Sequence, residues 1–179
     1  MTIDGLEAKI EDNGTVDLAL FRSAIGLIPQ DPILFRTSVR ENLSPLKEHT
    51  DSDIVAALHR VGLGPWFLTL PEGLEFALEE RGGNLSAGQR QLLCMARCLL
   101  HASPIILMDE ATSAVDPHSE VLLVQALEHH LKERTQIIVA HRLSTLERCD
   151  EIIWIERGKI YKQGKPADVV AEFRQMNIH

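Results

Sequence analysis

Asn84-Leu85-Ser86-Ala87-Gly88-Gln89-Arg90-Gln91 joins a turn to a strongly amphipathic run, and its reading decides the fold. A helix N-terminus presents unpaired N–H groups and about half a positive charge, so it attracts anions. Gly88 would let a phosphate approach the backbone, and Ser86 adds a hydroxyl donor. The same residues also satisfy a capping box, with Ser86 as N-cap and Gln89 three residues on. Both readings start a helix here that runs to Leu100, with Leu92, Leu93, Ala96, Leu99 and Leu100 on its buried side.

Outward from that helix, apolar strands and helices alternate. Ile25 to Ile28, Ile105 to Met108 and Gln136 to Ala140 read as buried strands. Val39 to Leu43 and Asp51 to Val61 read as helices, the second capped by Asp51 or Ser52. Asp116-Pro117 opens another helix, on which Leu123, Leu127 and Leu131 stack. Ser144 to Arg148 is a short helical piece, Arg157-Gly158 marks a hairpin between 151–156 and 159–163, and Pro166 to Met176 is a terminal helix. The alternation argues for an α/β fold, a parallel sheet with helices on both faces.

Bulk properties narrow the function. The 179 residues are 45% hydrophobic, enough for one sizeable core. A net charge of −8 leaves no general footprint for nucleic acid. No apolar run is long enough to span a bilayer, and the N-terminus does not read as a signal peptide. Cys94, Cys98 and Cys149 give no disulfide framework; Cys94 and Cys98 sit among leucines without a completing metal cluster and read as buried, reduced thiols.

Three strand ends carry polar residues, where ligands gather in open α/β sheets. Ile105 to Met108 runs into Asp109-Glu110, Gln136 to Ala140 into His141, and Ile25 to Ile28 into Pro29-Gln30. With Ser86 to Gln89, and in this order, they resemble the later two-thirds of an ATP-binding-cassette (ABC) nucleotide-binding domain, across nearly the whole chain. The resemblance implies a P-loop-NTPase-like sheet with a helical signature subdomain at about 36–100. It implies ATP as ligand and Mg²⁺ as cofactor. Gln30 would be the Q-loop residue, near the metal, the attacking water and the membrane domain. Asp109 would be the Walker B aspartate that holds the metal, and Glu110 the general base. Ser113 to Asp116 match the D-loop, His141 the switch histidine at the γ-phosphate, and Ser86, Gly88 and Gln89 the signature that meets ATP. The types suit the chemistry: phosphoryl transfer to water needs a hard cation, donors around the γ-phosphate and one placed acceptor.

Ile28-Pro29-Gln30-Asp31-Pro32-Ile33-Leu34-Phe35 and Ala140 to Thr145 resemble exporter motifs. Pro45, Ala87 and an intact Glu110 resemble the second nucleotide-binding domain of the C subfamily, the multidrug-resistance-protein type. The implied partners are a second nucleotide-binding domain in a head-to-tail dimer and membrane-spanning domains at the Q-loop, at the cytoplasmic face of a membrane. The motif Gly-x-x-x-x-Gly-Lys-Ser/Thr does not occur, and 29 residues precede Gln30. The resemblance therefore implies a start downstream of the P-loop, an N-terminally truncated fold with apolar faces left uncovered, and a chain inactive by itself. Two functions follow. One is part of a transporter ATPase that drives export. The other is a short, non-catalytic product that lends its signature to another domain's ATP site. Chromosome-maintenance ATPases share the motifs but insert long coiled coils, which this sequence lacks.

Overall fold

The computed structural model describes residues 22–110, 115–140 and 142–176, together with the backbone of a two-stranded antiparallel ribbon, β1 (Thr2–Ile3) and β2 (Leu6–Glu7). The chain divides into two compact units, one up to Ile138 and one from Val139 onward.

In the first unit β3 (Ile25–Ile28) pairs in parallel with β4 (Ile105–Asp109), in the order β3-β4-β5 with β5 (Thr135–Val139). Between β3 and β4 lie α1 (Val39–Leu43), α2 (Asp51–Arg60), α3 (Gly64–Phe67) and α4 (Ala87–Leu100); α5 (Pro117–His130) links β4 to β5. Each longer helix has a local start signal. Thr50 caps α2 reciprocally with Asp53, one residue before the expected cap. Asp116 caps α5 by accepting from Ser119 N–H, and Pro117 occupies the first turn, where its missing N–H is harmless.

α4 is the hub of the core. Gln91 to Ala96 are all buried, and Leu93, Met95 and Ala96 are fully so. That exceeds a single amphipathic stripe because α4 packs on α1, α2, α5 and β3. Leu99 and Leu100, on the same helix, are only half-buried. Full burial stabilises each leucine or methionine by about 1.5–3 kcal/mol relative to exposure. At Gly88 the approach of α5 is so close that an added Cβ would lie 2.1 Å from Ser119 Oγ, 2.4 Å from its Cβ and 3.0 Å from Asp116 Oδ2.

β5 corrects one expectation. It alternates between exposed and half-buried residues, with Ile137 52% and Val139 54% exposed. Among the described residues it ends the strand order, beside β4. Leu27 of β3 is likewise 54% exposed.

The second unit holds α6 (Leu143–Leu146), the antiparallel hairpin β6 (Ile152–Glu156) and β7 (Lys159–Gly164), and α7 (Pro166–Met176). Arg157 and Gly158 both take positive φ, as a two-residue type I′ turn demands, and Glu156 pairs with Lys159 across it. Ile152, Val169 and Val170 form the small core, and Trp154 stacks near Tyr161 and Phe173 at 4.6 and 5.1 Å. Arg174 bonds Glu147 at 2.7 Å, and Lys162 pairs with Glu172.

Two predictions follow from α4. Gly88→Ala should destabilise the fold by about 1–3 kcal/mol, the usual range for overpacking. Ser119→Gly removes the obstructing atoms, so in chemical denaturation the double variant should recover part of that loss; strictly additive effects would contradict the packing account. The second concerns Cys98. Burial pushes its thiol from 9.0 up to about 12. A raised folded-state value contributes stability that is complete below the unfolded value and is lost as pH rises through the folded one. Stability should therefore fall from about pH 9 upward, and Cys98→Ala should flatten that slope. Parallel alkaline profiles for the two proteins would refute it.

Candidate functional site

The β3–β4 ladder pairs Ile28 with Met108. Adjacent parallel strands lie about 4.8 Å apart. Pro29-Gln30 and Asp109-Glu110 therefore emerge together at the C-terminal ends of these strands. The side chains of Gln30 and Asp109 are exposed, and Glu110 is half-buried. Glu110 has φ of +42°, a left-handed backbone that non-glycine residues rarely take. Such a conformation costs about 1–3 kcal/mol and clusters at functional positions.

α4 reaches this strand end through Gln91. Its Nε2 donates to the carbonyls of Pro29 at 3.0 Å and Gln30 at 2.8 Å. Gln91 is 3% exposed, and its Oε1 lies buried without a hydrogen-bond partner. Two further bonds brace the same region: Arg97 Nε donates to Asn42 carbonyl at 2.9 Å and Nη1 to Ile33 carbonyl at 3.2 Å.

At the N-terminus of α4, less than two turns before Gln91, Ser86 and Gln89 form the full capping box. Ser86 Oγ accepts from Gln89 N–H at 3.1 Å, and Gln89 Oε1 accepts from Ser86 N–H at 2.9 Å. The turn before it is clamped by Asn84, which accepts from Glu79 N–H and donates to Ala77 carbonyl, both at 3.0 Å. Arg90 adds a 2.7 Å bond to Leu85 carbonyl. Ser86 is exposed, whereas Gly88 is buried beneath Ser119 and Asp116. Backbone and hydroxyl bonds from Ser119 hold the Asp116 carboxyl below its usual range, so it stays ionised beside α5's N-terminus.

The structure thus brings Gln30, Asp109 and Glu110 to one sheet end, and Gly88 against Asp116. His141 and Ser113-Ala114 lie outside the described residues. Gln91 and Ser119 are positioning residues to which the sequence reading assigned no role. For Gln91 a signal was present: an amide at a position followed immediately by Leu92, Leu93, Cys94 and Met95, on a helix with several buried faces. Nothing local marks Ser119, whose importance depends on Gly88 of another helix.

The chain can be set beside known proteins on this geometry. The ABC transporter family model matches residues 2–113. ABC transporter C family member 14 of Dictyostelium discoideum is 39% identical over 169 residues, covering 94% of this chain and 12% of the relative. ATP-binding cassette sub-family C member 2 of Homo sapiens is 39% identical over 168 residues, covering 94% of this chain and 11% of that protein. The chain therefore spans only a small part of these relatives. A bacterial Atm1-family ABC exporter solved with ATP bound superposes with a TM-score of 0.79 at 30% identity, over 90% of this chain and 29% of that one. The match to more than half of the chain, on the fold and motifs described, shows that it belongs to the ABC transporter family and resembles the nucleotide-binding domains of its C members.

Proposed function

We propose that this chain supplies the signature, Walker B, D-loop and switch parts of an ATPase domain that drives export across a membrane, with its helical subdomain at about 36–100. One observation carries the reading: Gln30 and Asp109-Glu110 leave adjacent strands together, and Gln91 ties that end to the signature helix.

Exposed oxygen-bearing side chains at one sheet end suit a hard cation, so Asp109 and Gln30 would hold Mg²⁺. Bound there, the ion would neutralise charge developing on the phosphates. Glu110 accepts a proton from the attacking water, and its left-handed backbone turns the side chain away from the strand's alternation. His141 donates to the γ-phosphate. Ser86 and the free N–H groups of α4's first turn face the ATP of a second nucleotide-binding domain, in a head-to-tail dimer. Because Ser119 covers Gly88, the Ser86 hydroxyl and the backbone donors meet that phosphate, while Gly88 sets the packing behind them. Ile33 and Phe35, 60% and 61% exposed just after Gln30, offer an apolar surface to membrane-spanning domains at the cytoplasmic face. Among the described residues no helix is long and apolar enough to cross a membrane.

The second reading, a non-catalytic product lending its signature to another domain, draws support from the exposed Ser86 and its complete cap.

The test is steady-state ATP hydrolysis. Joined to an upstream segment with a P-loop, the chain should turn over ATP, and Glu110→Gln should lower the rate about 10²–10⁴-fold with ATP binding retained. Equal rates would remove Glu110 from its role. If the unjoined chain, added to an isolated P-loop-bearing domain, raises that domain's turnover, the second reading is favoured.

A further inference from the structure

Away from that site, Glu48, His49 and His101 bring one ligand atom each to within 4.8 Å of one another. They come from two segments: Glu48 and His49 from the loop before α2, His101 from the C-cap of α4. The imidazoles of His49 and His101 meet edge to face, with ring centroids 5.7 Å apart. His49 Nε2 is buried without a hydrogen-bond partner. An unsatisfied buried ring nitrogen is destabilising, and a cation would satisfy it.

The loop is held in place. His49 N–H donates to the buried Ser44 Oγ at 3.3 Å, Lys47 N–H to Ser44 carbonyl at 3.0 Å, and Lys47 takes a φ of +56°. His101 follows the last turn of α4, its N–H bonded to Arg97 carbonyl at 3.1 Å. Both backbones are therefore fixed, and only side-chain rotation separates the present arrangement from a closed one. Ligands on a tetrahedral ion at about 2.0–2.1 Å lie about 3.4 Å apart, so from separations of up to 4.8 Å the donors must close by at most about 1.4 Å. Glu48 is exposed and free to swing, and His49 borders a cleft with Asp53, Arg60 and Leu99 through which an ion can enter.

We propose that Glu48, His49 and His101 form a site for a borderline divalent cation of the zinc class, which clips the loop before α2 to the end of α4. Two imidazoles and one carboxylate are a zinc-type donor set with a fourth position for water, whereas magnesium and calcium prefer all-oxygen ligands. Arg97 and Arg60 are the nearby cations that oppose an incoming ion; Glu48 and Asp53 offset them. Asp53 is committed to the Thr50 cap and is not counted as a ligand.

The test uses the full chain with Cys149→Ser, so that the half-buried thiol cannot compete, and Zn²⁺ alone as probe. Calorimetry should show one Zn²⁺ per chain, and the thermal unfolding midpoint should rise with Zn²⁺ but not with Mg²⁺. His49→Gln and His101→Gln should each weaken Zn²⁺ binding at least tenfold, and Glu48→Gln less. His129→Gln, on a neighbouring-histidine pair elsewhere, should leave it unchanged. Co²⁺ bound to the parent protein supplies a readout that does not rely on the folding of variants: visible bands of a four-coordinate nitrogen–oxygen site, without thiolate charge transfer. Absence of binding, equal affinity in the histidine variants, or a thiolate band from Cys94 or Cys98 would each overturn the proposal.

Discussion

The side-chain amide of Gln91 is the joint on which the arrangement depends. A helix buried on several faces delivers one polar group to the end of β3, and that group holds two consecutive carbonyls, those of Pro29 and Gln30. Neutral hydrogen bonds contribute about 0.5–1.5 kcal/mol each, while the unpaired Oε1 costs about 1–3 kcal/mol. The joint is therefore a weak clasp in energy and a strict one in geometry. Its value is positional: Ser86 and Gln30 sit on segments that cannot shift independently while Gln91 spans them.

One turn nearer the N-terminus of α4 the constraint is steric. Gly88 allows α5 to approach until Ser119 occupies the space of a side chain. That contact brings Asp116, an ionised cap, against the signature turn. One helix thus fixes both a hydrogen-bonded and a close-packed neighbour, and the polar segments on each side inherit their positions from it. The proposed phosphoryl transfer would rely on positioning more than on covalent chemistry, which makes such a frame useful to it.

Much of this was legible in the sequence. Strand and helix limits at Ile25–Ile28, Val39–Leu43 and Pro166–Met176 follow from local periodicity and Pro or Gly punctuation, and the structure has the same limits. The Ser86–Gln89 cap was equally plain, since both partners lie within one turn. What local reasoning missed depends on distant residues. Gly88 also has a packing role, because Ser119, thirty-one positions later, lies where a side chain at 88 would point. β5 reads as buried from its apolar run, but burial is set by neighbours that the strand does not encode. The Glu48–His49–His101 group joins residues half a hundred positions apart and has no sequence signature.

Hydrogen exchange on Gln91→Met tests the joint most directly, because methionine keeps the volume and the buried stem but donates nothing. The account predicts faster exchange at the amides of Gln30, Asp31 and Ile33, with the C-terminal turns of α4 from Met95 to Leu100 unchanged. Identical exchange at 30–33, or a uniform acceleration along the whole of α4, would contradict the claim that Gln91 holds the strand end to the signature helix.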